Sequence, residues 1–246
     1  MQPLFPKLMH RFLYDQLYLN SVILSHFILD ESLPIIDGKI EVFNSAVATF
    51  NAPSNISDIN GMHHEHNWAT SLWRNSPACY DTVLINSNPD IDGVQGFEIA
   101  HILLLFAFWH HGKHYPCALI HWFSFVGLEP DQDTGLWIVE PSFDDSGSPF
   151  LAIVHIDSIF RAVHLLATHQ DAQFINRTLM MRSKLDVFNS FYINRYICRP
   201  SRLQFSLMKN LIIIKTVMGV RLVRLRLTCQ PGLFLMLPFD SRTLKE

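Results

Sequence analysis

Apolar positions along this chain follow two different periods. Over 7–30 they recur at helical spacing, with Leu8, Phe12, Leu13 and Leu17 followed by an apolar cluster at 22–24, which predicts a helix. Pro34 and Asp37-Gly38 punctuate, and 39–50 alternates loosely enough for one strand. Residues 51–77 are rich in Asn, Ser, Pro, Gly and His, and read as a long irregular loop holding at most one short helix. A short strand is expected over 80–86, closed by the turn residues Asn88-Pro89-Asp90-Ile91-Asp92-Gly93. Two almost wholly apolar runs, 99–109 and 115–126, flank His111-Gly112-Lys113 and predict a β-hairpin buried on both faces. Further strands are expected over 136–139 and 150–156, with a turn at Asp144-Asp145-Ser146-Gly147 between them. Asp157 reads as the N-cap of a helix over 158–168, and 185–197 reads as a last amphipathic helix.

These elements predict an α+β fold: a small, mainly antiparallel barrel or sandwich flanked by helices. Three regions follow from the same pattern. Residues 1–79 form a helical and irregular segment, 80–197 a β-rich core with C-terminal helices, and 198–246 a basic tail outside the fold. Charge sets the tail apart. Residues 1–194 carry 9 Lys/Arg against 20 Asp/Glu, a net charge of −11, whereas 195–246 carry 10 against 2, a net charge of +8. Within the tail, 220–227 alternates Val-Arg-Leu-Val-Arg-Leu-Arg-Leu, a strand-like basic run that could meet phosphates and equally fits sequence never selected to fold.

Composition narrows the class. A chain that is 49% hydrophobic and 12% aromatic belongs to a packed globule rather than a disordered segment. Cys79, Cys117, Cys198 and Cys229 are too widely spaced for a disulfide framework or a paired-cysteine zinc site, and read as free thiols. Neither a secretory leader nor an uncharged apolar span of bilayer length stands out, so an intracellular location, nuclear or cytoplasmic, and no membrane contact are expected.

Candidate chemistry is sparse. No Gly-x-Ser-x-Gly, phosphate-binding loop or His-Glu-x-x-His pattern occurs. The acidic turns at Asn88, Asp90 and Asp92, and at Asp131 and Asp133, resemble calcium loops but lack the closing bidentate glutamate. His63, His64 and His66, and a second set of His110, His111, His114, Cys117 and His121, lack paired zinc spacing, so no metal and no cofactor are expected. Asp81, Glu140 and Asp157 lie near expected strand ends, and would have to converge to serve a metal-dependent nuclease. Trp109, Tyr115, Trp122 and Trp137 could fill a core, or line a ligand face that reads modified peptides or stacks on bases.

Several stretches together resemble the C-terminal accessory region of the transposase-like proteins of basidiomycete fungi, of the Plavaka or CACTA-like kind. They are Leu4-Phe5-Pro6-Lys7 with His10-Arg11-Phe12-Leu13-Tyr14-Asp15-Gln16-Leu17, Phe43-Asn44-Ser45-Ala46, Ala52-Pro53-Ser54 and Tyr80-Asp81-Thr82-Val83. The most distinctive are 115–123, Tyr-Pro-Cys-Ala-Leu-Ile-His-Trp-Phe, and 130–141, Pro-Asp-Gln-Asp-Thr-Gly-Leu-Trp-Ile-Val-Glu-Pro, with 155–162 and 191–197 completing the set. The resemblance covers about 1–197. It implies a mobile-element origin and a non-catalytic accessory module, truncated from a longer protein, with DNA or chromatin proteins as partners. Two departures stand out: His63 and His64 occupy positions where the family carries arginines, and Cys198-Arg199-Pro200 replaces an Asp-His-His-like continuation. The second coincides with the change of charge, as a shifted reading frame or an unspliced intron would produce.

Overall fold

The computed structural model describes residues 4–18, 25–36, 38–51, 62–71, 78–87, 96–168, 188–194 and 213–215. Within these the protein is mostly antiparallel β, with one curled sheet, a smaller sheet and one α-helix. The helix, α1, spans Leu4–Leu17 and buries Phe5, Met9, Phe12 and Leu13, which recur on one face at helical spacing. Of the helix expected over 7–30, the described residues are α-helical as far as Leu17, and 19–24 lie outside the described residues. Short 3-10 turns follow at Ser25–Phe27 and Asp30–Ser32. Asp15 draws the chain back, its carboxylate accepting from the Ser25 N–H at 3.2 Å and from Ser25 Oγ at 2.8 Å. No helix among the described residues is long and apolar enough to cross a membrane.

The predicted hairpin is the backbone of the large sheet. Strand β6 (Phe97–His110) pairs with β7 (Lys113–Phe125) from Ile99 opposite Phe123 to His110 opposite Lys113. The connection is two residues, not three. His111 has φ 47° and Gly112 φ 76°, the doubly left-handed turn whose twist matches that of the paired strands. A register shift between Ile102 and Leu104 inserts one residue into β6. This bulge restores parity, so that Ala100 and Ile102 before it and Leu105 and Ala107 after it face one core.

The single strand expected over 39–50 is two, β1 (Ile40–Phe43) and β2 (Ser45–Asn51), broken at Asn44. β1 pairs with β6, whereas β2 turns away to pair with β3 (Met62–Thr70). β3 corrects the loop expected over 51–77. Its His- and Asn-rich composition has little intrinsic strand preference, but seven residue pairs with β2 override it. The strand expected over 80–86 also divides, into β4 (Cys79–Tyr80) against β3 and β5 (Thr82–Asn86) against β6. Asn44 and Asp81 are thus corners at which the chain passes between the two sheets.

On the far side of β7 lie β8 (Ile138–Pro141) and β9 (Leu151–His155), close to the strands expected there. Both expected C-terminal helices are strands. Residues 156–158 make a 3-10 turn, followed by β10 (Ile159–Ala162) on β5 and β11 (Leu165–Ala167) on β12 (Phe191–Ile193), and β12 also pairs with β8. The apolar residues of 158–168 look helical because Ile159 and Phe160 are buried in different cores, on opposite sides of a bulged strand. Asp157 is not an N-cap: it lies within the turn, and its N–H donates to His155 Nδ1.

The order β10-β5-β6-β7-β8-β12-β11 makes the sheet curl, because its first and last strands are separated only by Val163 and His164. The Val163 N–H donates to the Thr82 carbonyl at 2.8 Å, and the Asn194 N–H to the His164 carbonyl at 3.1 Å. Inside the curl pack Leu84, Phe97, Ile99, Phe123, Val139, Phe160, Phe191 and Ile193. α1 closes Phe106, Phe108, Tyr115 and Cys117, while the smaller sheet covers Ala100, Ile102, Leu105 and Ile120. Of the tail, Ile213–Lys215 forms a strand, β13, against β2.

Candidate functional site

The corner at Asp81 brings together three half-buried charged side chains, Glu65, Asp81 and Arg161. β4 hands the chain to β5 there: the Asp81 N–H donates to the Trp68 carbonyl at 2.9 Å, and its own carbonyl accepts from the Ile102 N–H at 2.9 Å. The carboxylate turns back onto β3 and accepts from the Trp68 N–H at 2.7 Å. Alternation along β3 aims Glu65 at the curled sheet, where Oε2 accepts from the Ala162 N–H at 3.2 Å and lies 3.9 Å from Arg161 Nε. Burial raises the Asp81 pKa above its usual value; the Trp68 N–H opposes that shift, Glu65 adds to it and His164 opposes it. Two carboxylates from different strands thus each satisfy a main-chain N–H on a neighbouring strand. The arrangement pins one sheet to the other.

The Asp81 shift has a measurable sign. A raised carboxyl pKa means that the folded state holds the proton more tightly than the unfolded chain, so stability falls as pH rises from about 4 through the folded value. Asp81→Asn keeps an oxygen for the Trp68 N–H and has no charge to desolvate. Its melting temperature should equal or exceed that of the parent at about pH 7, and the advantage should shrink towards about pH 3.5. Calorimetry across that range reads the difference.

The other carboxylates lie elsewhere. Glu140 is exposed on β8, opposite Ser124 of β7. Asp157 follows β9, its Oδ2 3.3 Å from His155 Nδ1, and its buried Oδ1 has no hydrogen-bond partner among the described residues. His155 is level with Cys117 on β7, so Glu140 and Asp157 are separated by at least the span from Ser124 to Cys117, about 23 Å at strand rise. Asp81, Glu140 and Asp157 therefore do not converge, which corrects them as a joint metal-binding set. Among the described residues no group of three or more His, Cys, Asp or Glu is placed to hold a metal ion.

The histidines divide in the same way. His66 stacks on Trp68 with centroids 5.5 Å apart, and His110 meets His111 edge-on at 4.1 Å on the hairpin tip. His121 Nε2 donates to the Ser142 carbonyl at 2.8 Å. Cys117 and His121 share a face of β7, but four residues of strand set them about 13 Å apart. Cys117 is fully buried, and burial drives its thiol pKa well above the usual range. In the native protein Cys117 should resist iodoacetamide under conditions that alkylate an exposed thiol, and react at the rate of global unfolding. Peptide mass spectrometry over a denaturant series measures this.

The acidic turns are local structure. Asp131 Oδ1 accepts from the N–H and hydroxyl of Thr134, and Asp144 Oδ1 from the N–H and hydroxyl of Ser146 and the N–H of Ser148. These bonds, the hydroxyl first, lower both carboxyl pKa values. The Asn88–Gly93 turn lies outside the described residues.

The aromatic candidates are not one surface. Trp109 is 52% exposed on the hairpin tip and tilts against His114 at 4.8 Å. Tyr115 is core, stacked on Phe108 at 5.3 Å, which removes it from any ligand face. Trp122 packs against the core beneath the smaller sheet, some 26 Å along β7 from the residue facing Trp109. Trp137 meets Phe125 edge-on at 5.4 Å, against the core inside the curl. Glu65 and His164, which complete the Asp81 corner, escape sequence reasoning because they fall in the expected loop and the expected helix. The alternation of Glu65, Asn67 and Ala69 was the available signal.

The chain matches no protein-family model, no curated protein and no solved structure.

Proposed function

We propose that the protein is a non-catalytic accessory module of a transposon-derived protein, built on a small antiparallel barrel closed through 159–167. Its partners are proteins of DNA-bound or chromatin assemblies. The observation that carries the reading is that Asp81 and Glu65, the half-buried acids between the sheets, are committed to main-chain N–H groups of neighbouring strands at 2.7 and 3.2 Å. Acids held in this way join sheets; they do not face a cleft where a scissile phosphate could sit. The ordered resemblance over about 1–197 supports the mobile-element origin. The net charge of −11 over 1–194 opposes broad contact with phosphates, which favours protein partners over naked duplex.

The test is incubation of the full chain with supercoiled plasmid in Mg²⁺ or Mn²⁺. The plasmid should remain intact. Metal-dependent nicking that disappears in Asp81→Asn or Asp157→Asn would replace this reading with that of a nuclease.

A further inference from the structure

The smaller sheet runs β13-β2-β3-β4, and its outer strand β13 is the one described element drawn from the basic tail. Ile213 lies opposite Val47, Ile214 opposite Ala46 and Lys215 opposite Ser45, in antiparallel sense. On its other side β2 pairs with β3 through all seven of its residues, Ser45 to Asn51. The faces of β2 are taken as well. Ser45 and Val47 point to one face, Ala46 and Ala48 to the other, and all four are at most 4% exposed. A strand enclosed in this way offers a newcomer only the main-chain N–H and C=O groups of its outer edge. β13 meets three residues of that edge, and among the described residues it pairs with no other strand.

Main-chain pairing at a sheet edge is a general way for a folded protein to take up an extended segment. The ladder supplies affinity, and the side chains alternating along the segment supply selection. Charge favours a segment of the tail's kind, because 195–246 carries a net charge of +8 and 1–194, which contains β2, a net charge of −11. From the three-residue pairing and this charge complementarity we propose that the outer edge of β2 is a strand-acceptor site. In this chain Ile213–Lys215 fills it, and when β13 leaves, the edge takes an extended apolar and basic segment of a second polypeptide. A strand carried on the same chain is present at an effective concentration of about millimolar order, so β13 is a built-in competitor that keeps the site closed. The inference concerns the edge alone and stands apart from the accessory-module reading.

Proline at the strand tests this. Successive residues of an outer antiparallel strand turn their N–H alternately towards the partner and away from it, so of Ile213→Pro and Ile214→Pro only one deletes a bond to β2. Each variant of the full chain is followed by far-UV circular dichroism and by hydrogen–deuterium exchange of peptides covering Ser45–Ala48. Binding is read by fluorescence anisotropy with a labelled synthetic peptide of 209–219, Lys-Asn-Leu-Ile-Ile-Ile-Lys-Thr-Val-Met-Gly. One proline should leave the body folded, raise exchange over 45–48, and bind the peptide with a dissociation constant of about 1–100 µM, at least about tenfold tighter than the parent. Bound peptide should restore the lost protection. The other proline should behave as the parent, and a synthetic peptide carrying the effective proline should not bind. Unchanged exchange in both variants, equal opening by both, no peptide binding to the opened variant, or binding equally tight in the parent would overturn the inference. So would a parent that sediments as a dimer and becomes monomeric with the effective proline, because β13 would then serve a second copy of the chain.

Discussion

Phe106→Ala should destabilise the protein by about 3–5 kcal/mol, enough to unfold a domain of ordinary stability over much of its working range. Phe106 is fully buried in β6, on the side of the sheet that α1 covers. Its ring meets Phe5 of α1 edge-on at 5.3 Å and stacks near Phe108 at 6.4 Å. Truncation removes the transfer free energy of a benzyl group and opens a cavity that two paired strands and a helix cannot readily fill. Because Phe106 is the seat for Phe5, the helix should loosen as the core weakens. Urea denaturation followed by circular dichroism would give the loss, and a change below about 1 kcal/mol would mean that α1 does not cover this face.

Phe191→Ala should have an effect of the same order, about 3–5 kcal/mol, in a segment that sequence periodicity assigns to a helix. Phe191 is 1% exposed, with Phe123 edge-on at 6.1 Å and Phe188 at 6.3 Å. Strand alternation buries Phe191 and Ile193 and leaves Tyr192 half-buried. Tyr192→Ala should therefore cost clearly less than Phe191→Ala, by about 2 kcal/mol. Equal losses at 191 and 192 would deny the alternation, and with it the strand that joins β8 to β11.

The β6–β7 hairpin was legible because two long apolar runs met at a Gly-containing turn, where local preference and tertiary burial agree. β3 was illegible for the opposite reason. Residues 62–70 carry three histidines and an asparagine, and only pairing with β2 makes them a strand. β10 fits a helix as well as a strand because Ile159 and Phe160 are buried on opposite faces and break the alternation, and β12 because three alternating residues are too few to show a period. The site followed the same rule. Asp81 was visible as an acid at a strand end, but its partners Glu65, Arg161 and His164 come from segments whose structure was misassigned. The commitment of Asp81 to the Trp68 N–H depends on a corner between sheets that no local pattern announces.

The fold depends most on the curl, in which 159–167 and 188–194 complete the large sheet. Hydrogen–deuterium exchange of the full chain, read by peptide mass spectrometry, tests this directly. Peptides covering Ile159–Ala162 and Phe191–Ile193 should show protection comparable to that of the β6–β7 hairpin, because their amides pair with β5, β8 and β11 inside one cooperative unit. Exchange of these peptides at the unfolded rate, while the hairpin remains protected, would contradict the curled sheet and the barrel reading built on it.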